Sequence, residues 1–134
     1  MTFKSEKTLL GCSVDGHAVE SDIRNEDNEP TGLIAQHAYS IIDLLYVKTT
    51  KNRKGRYKLL RLRNPWGRKE WTGKWSDKSP ELRANLEGVM REIKKLGEDE
   101  PFDPNDPENG DFLMSYRDWL TYFSNLYACI DFPD

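Results

Sequence analysis

The chain has 134 residues, enough for one domain that buries roughly two-thirds of its unfolded surface. It is 37% hydrophobic and 32% charged, an ordinary globular composition without a low-complexity tract or internal repeat. A net charge of −3 gives no general attraction to nucleic acid or anionic lipid, and no apolar run reaches the ~18 residues that a membrane span needs.

Residues Met1 to Lys7 lack the apolar run of a secretory signal. With only Cys12 and Cys129 as thiols, the chain suits a reducing, intracellular (cytoplasmic) setting. Thr8 to Val14 reads as a short strand, and Asp15 to Gly32, polar and acidic, as a surface loop.

Next come two runs rich in branched and aromatic residues, Ala38 to Val47 and Tyr57 to Leu62. The basic, Gly-containing stretch Lys48 to Arg56 separates them, so they predict an antiparallel hairpin. Six basic residues lie between Lys48 and Lys58, but with no interleaved aromatic before Tyr57 they read as a solvated loop rather than a nucleic-acid patch.

Counting outward from that loop brings His37 and Asn64 to the open end of the hairpin as cross-strand or diagonal neighbours. An imidazole beside a carboxamide is what a cysteine-protease relay needs: the amide oxygen fixes the ring tautomer while the other nitrogen faces a thiol. Pro65 cannot continue a ladder, so the chain must turn after Asn64, and Trp66 can shield the contact from water. The same residues also read as a structural histidine, an Asn-Pro turn and a core tryptophan.

Gly67 to Lys78 predicts an irregular loop anchored by Trp71 and Trp75. Ser79 as N-cap, Pro80 at the first position and Gly97 as the stop predict a helix over Pro80 to Leu96. Leu82, Leu86, Val89, Ile93 and Leu96 form its apolar stripe. An acidic, Pro-containing loop, Glu98 to Gly110, leads into a strand at Asp111 to Met114. Ser115 with Asp118 resembles a capping box opening a second helix to about Phe123, and Leu126 to Phe132 reads as a final strand. The expected fold class is therefore α+β: mainly antiparallel β, a small sandwich or barrel-like sheet, with two packed helices.

Several segments resemble the second half of the calpain protease core: Gln36-His37-Ala38-Tyr39-Ser40, Leu62-Arg63-Asn64-Pro65-Trp66-Gly67, Glu70-Trp71-Thr72-Gly73 and Trp75-Ser76-Asp77. Gly110 to Ser115, running into Tyr116-Arg117-Asp118, and Leu9-Leu10-Gly11-Cys12-Ser13 resemble it too. The resemblance covers nearly all of residues 1–134 apart from the loop at 15–30.

It implies a papain-like cysteine protease subdomain in which His37 matches the catalytic histidine and Asn64 the catalytic asparagine. Trp66 matches the indole at the cleft. The nucleophilic Cys belongs to a first subdomain, so the implied partners are that Cys-bearing subdomain and protein substrates, and Cys12 is a buried structural thiol. The resemblance also implies a regulatory Ca²⁺ held by Glu70, Asp77, Asn109 and Asp111 with a backbone carbonyl near Pro107 or Glu108. Oxygen donors of this kind suit Ca²⁺, which takes about 6 to 8 of them.

Three positions depart from the family pattern. Gln36 stands where Gly is usual, Asn109 where Asp is common and Asp111 where Glu is common. The alternative function is a calpain-like module that binds calcium or a protein partner without catalysis.

Overall fold

The structure, a computed structural model, describes residues 8–16, 21–48, 56–67, 70–96, 102–106 and 109–130. Among the described residues there are seven strands: β1 (Thr8–Ser13), β2 (Asp22–Arg24), β3 (Pro30–Ile34), β4 (Tyr39–Lys48), β5 (Arg56–Arg63), β6 (Asp111–Ser115) and β7 (Asn125–Ile130). Three helices accompany them among the same residues: α1 (Pro80–Ala84), α2 (Leu86–Lys95) and α3 (Tyr116–Tyr122). An open, antiparallel five-stranded sheet runs in the order β6-β5-β4-β1-β7, and β2 and β3 form a separate two-stranded sheet. The fold is α+β, as expected, with the sheet open rather than closed into a barrel.

Strands β5 and β6 are buried on both faces over Leu59 to Leu62 and Asp111 to Met114. Side chains alternate across a strand, so Leu59 and Leu113 join one apolar cluster while Leu60, Leu62, Phe112 and Met114 join another. The first cluster is closed by Leu82, Val89 and Ile93 of α1 and α2 with Trp75 and Phe102. The second is closed by Leu33 of β3, Trp71 and Phe123. With both faces covered there, β5 and β6 carry near-continuous apolar runs, whereas β4 alternates from Asp43 onward and leaves Leu44 and Tyr46 half exposed.

The β4–β5 hairpin is in the expected place, with Ser40 opposite Arg63 and Lys48 opposite Arg56. The register shifts between Ile41 and Asp43, and that bulge sets Asp43 opposite Arg61. Most of the connecting basic stretch, residues 49–55, lies outside the described residues.

The loop expected over Asp15 to Gly32 is corrected: it contains β2 and the start of β3. The turn between them is closed by Asn25, whose Oδ1 accepts the N–H groups of Asp27 and Glu29 at 2.9 and 3.0 Å. Two short strands with few apolar residues give no readable periodicity.

The single helix expected over Pro80 to Leu96 is corrected to two, broken at Asn85. Ser79 caps α1 as expected, its Oγ accepting Leu82 N–H at 3.2 Å. Asn85 turns its Nδ2 back onto the Glu81 carbonyl at 2.9 Å and leaves helical φ/ψ at −122° and 16°. That competition between side chain and backbone is why Asn is a poor helix-interior residue. Leu96 ends up 44% exposed, off the apolar stripe, and Gly97 lies outside the described residues.

The loop after Asn64 holds Trp71 and Trp75, both buried, and Trp71 Nε1 donates to the Lys74 carbonyl at 2.8 Å. Ser115 caps α3 by accepting Asp118 N–H at 3.1 Å. The last strand begins at Asn125, one residue before its expected start, and residues 131–134 lie outside the described set.

Candidate functional site

His37 sits just before β4 and Asn64 just after β5, so the hairpin register delivers both to one end of the sheet. His37 Nε2 lies 2.8 Å from Asn64 Oδ1. The backbone N–H of Trp66 meets the same oxygen at 3.0 Å, and an N–H can only donate. That contact identifies the Asn64 atom as oxygen, which makes His37 Nε2 the donor and leaves Nδ1 with its lone pair. The ring is thus held in one tautomer with a basic nitrogen free to take a proton.

The surroundings keep that geometry. Asn64 is fully buried and His37 is 9% exposed. The Trp66 ring lies 4.3 Å from the imidazole, tilted by 50°, and Tyr39 meets it edge-on at 5.3 Å. Trp66 itself stays 43% exposed, so it forms one wall of the site facing solvent. Tyr39 is locked in turn, its hydroxyl accepting Ile34 N–H at 2.9 Å.

Gln36, just before the histidine, has φ of 55°, the left-handed region. Its N–H donates to the Val14 carbonyl at 2.7 Å and its Nε2 to the Gly16 carbonyl at 2.9 Å. The residue before His37 is therefore tied, at both backbone and side chain, to the segment that leaves β1. Cys12, in β1 opposite Tyr39, is a free buried thiol, and burial pushes it up to about 11. A thiol so raised is protonated near neutrality and inert. The backbone of Cys129 pairs with Leu9, and its side chain lies outside the described residues.

The acidic residues split into two groups. Glu70 Oε2 accepts Gly110 N–H at 3.1 Å, and Asp77 is buried beside Glu70, its carboxylate oxygens meeting no donor other than the Glu70 carboxyl when that group holds a proton. Burial first, and then the neighbouring Asp77, push Glu70 up to about 9. Burial likewise raises Asp77 to about 6, with Glu70 and Arg83 pulling the other way. Asp111 behaves oppositely. Its Oδ2 accepts from Arg61 at 2.8 Å and its Oδ1 from Arg63 at 2.7 Å, and these arginines outweigh burial to hold it below its usual range. Asn109 Oδ1 accepts Asp111 N–H at 2.9 Å, and its Nδ2 donates to the Asp103 carbonyl at 3.2 Å.

Among the described residues no group of three or more His, Cys, Asp or Glu is placed to hold a metal ion, although Asp111 lies near enough to Glu70 and Asp77 to push both upward. Residues 107–108, where a backbone ligand was expected, lie outside the described set. The Asp77 oxygens, which no N–H group meets, beside a Glu70 whose charge burial disfavours, fit a hard cation, because a buried carboxylate is costly unless positive charge meets it.

Sequence reasoning missed the Arg61 network. Arg61 is fully buried, paired with Asp43 at 3.4 Å and Asp111 at 2.8 Å, and its guanidinium lies 5.6 Å from the Phe102 ring centre. The signal was available: a cation inside the apolar run of β5 has to meet carboxylates if the strand is central.

An imidazole whose tautomer is set by a carboxamide, beside a half-exposed tryptophan, is an arrangement that thiol-dependent hydrolysis can use. A model of the calpain family cysteine proteases matches residues 1–130. Rattus norvegicus Calpain-9 is 42% identical over 128 residues, covering 95% of this chain and 16% of its own length. Drosophila melanogaster Calpain-B is 37% identical over 131 residues, covering 95% of this chain and 12% of its own. The Mus musculus Calpain-2 catalytic subunit is 36% identical over 134 residues, covering 95% and 16%. The chain belongs to the calpain family of cysteine proteases. It spans well under one fifth of the length of these relatives, at 12% to 16%.

Proposed function

We propose that residues 1–134 are the second subdomain of a calpain-type catalytic core and supply the histidine and asparagine of a thiol peptidase. The observation that carries the reading is the 2.8 Å contact between His37 Nε2 and Asn64 Oδ1. With Nε2 donating, Nδ1 takes the proton of a cysteine thiol contributed by a first subdomain and gives a thiolate–imidazolium pair. The thiolate attacks a peptide carbonyl, the imidazolium returns its proton to the leaving amine, and the thioester is then hydrolysed. Asn64 orients the ring, and Trp66 keeps water from the hydrogen bond. Protein substrates and a Cys-bearing subdomain are the partners of this reading.

Glu70 and Asp77 are the residues we assign to a regulatory Ca²⁺, on the strength of the buried Asp77 oxygens that no N–H group meets. Bound there, the ion would supply positive charge to two desolvated carboxylates. Asn109 and Asp111 complete the set implied by the family pattern, Asp111 only on releasing an arginine. The buried free thiol of Cys12 suits a cytoplasmic setting. Among the described residues no helix is long and apolar enough to cross a membrane.

Joining the chain to a Cys-bearing first subdomain of a calpain tests the reading with a fluorogenic peptide. Turnover is expected in the joined protein and not in the chain alone. His37→Ala should abolish it, while Asn64→Ala should lower kcat substantially and leave some activity. Near-normal rates with His37→Ala would sink the mechanism and favour a non-catalytic calcium- or protein-binding module.

A further inference from the structure

At the hairpin end opposite His37, where β4 and β5 finish against the flank of α2, lies a cavity of about 290 Å³. Its lining includes four cations, Lys48, Arg56, Arg91 and Lys95, and one carboxylate, Glu92. Gly88 forms part of the wall, close to the Lys48 carbonyl and Val47, where a Cβ would make ordinary van der Waals contact at 3.4 and 3.5 Å.

The charges are poorly balanced. Lys48 and Arg56 are direct cross-strand partners, and like charges placed so are destabilising. Neither forms an ion pair among the described residues. Glu92 is already engaged by Lys95 at 2.9 Å, and Arg91 reaches only the exposed Glu87 at 3.8 Å. Such exposed pairs contribute little. A chain of net charge −3 has thus gathered unmatched positive charge around one concavity. Arg forks and Lys ammonium groups together match phosphate oxygens, the forks giving bidentate contacts and the ammonium groups point charges.

We propose that this cavity binds a small anion carrying two or more phosphate groups, either a soluble phosphate compound or the headgroup of a phosphorylated lipid. The bound anion relieves the Lys48–Arg56 repulsion and bridges the hairpin to α2. The site is independent of His37, Asn64 and the acidic loop.

Calorimetric titration of the chain with inorganic pyrophosphate in calcium-free, low-salt buffer tests the proposal. Vesicles of phosphatidylcholine with a bisphosphorylated inositol lipid form the second arm. Saturable binding is expected, weakened about tenfold or more by Lys48→Glu or Arg91→Glu and less than about twofold by Lys74→Glu. Lys74 lies outside the cavity lining, so it matches the charge change alone. Retention on vesicles that pyrophosphate competes away assigns the headgroup, and binding without vesicle retention assigns a soluble compound. A folded protein that binds in neither arm overturns the proposal. So does an equal loss with Lys74→Glu and Lys48→Glu, which would mean net charge alone was being read.

Discussion

The carbonyl of Gly110 accepts the backbone N–H of Asn64 at 3.0 Å, while Gly110's own N–H donates to Glu70 at 3.1 Å. One glycine therefore links the acidic loop to the residue whose amide oxygen meets His37. Its φ of 79° lies in the left-handed region, and a Cβ would come within 2.5 Å of the Asn64 carbonyl oxygen. Gly110→Ala should destabilise the chain by about 2 kcal/mol, from backbone strain plus a displaced contact. It should also loosen the His37–Asn64 bond, read as loss of a slowly exchanging imidazole N–H by NMR. A variant as stable as the parent with that signal intact would remove the link.

Gln36 gives a paired test of backbone strain. Gly relieves the left-handed φ of 55° while losing the bond to Gly16, whereas Ala loses the bond and keeps the strain. Gln36→Gly should thus unfold at higher denaturant than Gln36→Ala, by about 1 kcal/mol. Equal stability of the two would show that the residue is not held in that conformation in solution.

Asp111 is a partner of Arg61 and Arg63 before it is anything else. Asp111→Ala removes the 2.8 Å carboxylate partner of the fully buried Arg61 and leaves it the longer contact to Asp43 at 3.4 Å. Removing one member of a buried pair costs about 3 kcal/mol or more. The loss should appear in calcium-free buffer as a lower Tm. An unchanged Tm would mean that the network contributes nothing and that the carboxylate is free for other work.

Glu70 should make stability depend on pH in an unusual direction. Its folded value, raised from 4.5 to about 9, means that the native state holds this proton where the unfolded chain releases it. Its contribution is therefore complete below pH 4.5 and is lost as pH rises toward about 9. Without calcium, the parent should lose stability relative to Glu70→Gln across that window. Parallel pH profiles for the two proteins would show that Glu70 ionises normally.

Calcium should act on the same pair. An ion that binds only the folded chain stabilises it by about 2.7 kcal/mol at a hundredfold excess over Kd. A millimolar Ca²⁺ titration should raise Tm and perturb the tryptophan emission, with Trp71 adjacent to Glu70 in the chain. Asp77→Ala should abolish both responses. No heat and no spectral change with folded parent protein would leave the loops as turns only.

Much of the site was legible in the chain because hairpin register is local. Two apolar runs and a loop of countable length bring His37 and Asn64 together, and Pro65 forces the turn that leaves Trp66 beside them. Helix caps at Ser79 and Ser115 were equally readable, since a cap depends on residues within one turn. The tautomer of His37, the strain at Gln36 and the fate of Asp111 were not. Each depends on contacts that no local pattern announces: Trp66 N–H marking an oxygen, Val14 and Gly16 holding Gln36, and two arginines of β5 reaching β6. The sequence by itself determined which residues could meet across one hairpin. Only the tertiary structure decided which carboxylates stay unmet by any N–H group and which are neutralised, because burial and pairing arise when separate strands and loops share one low-dielectric interior.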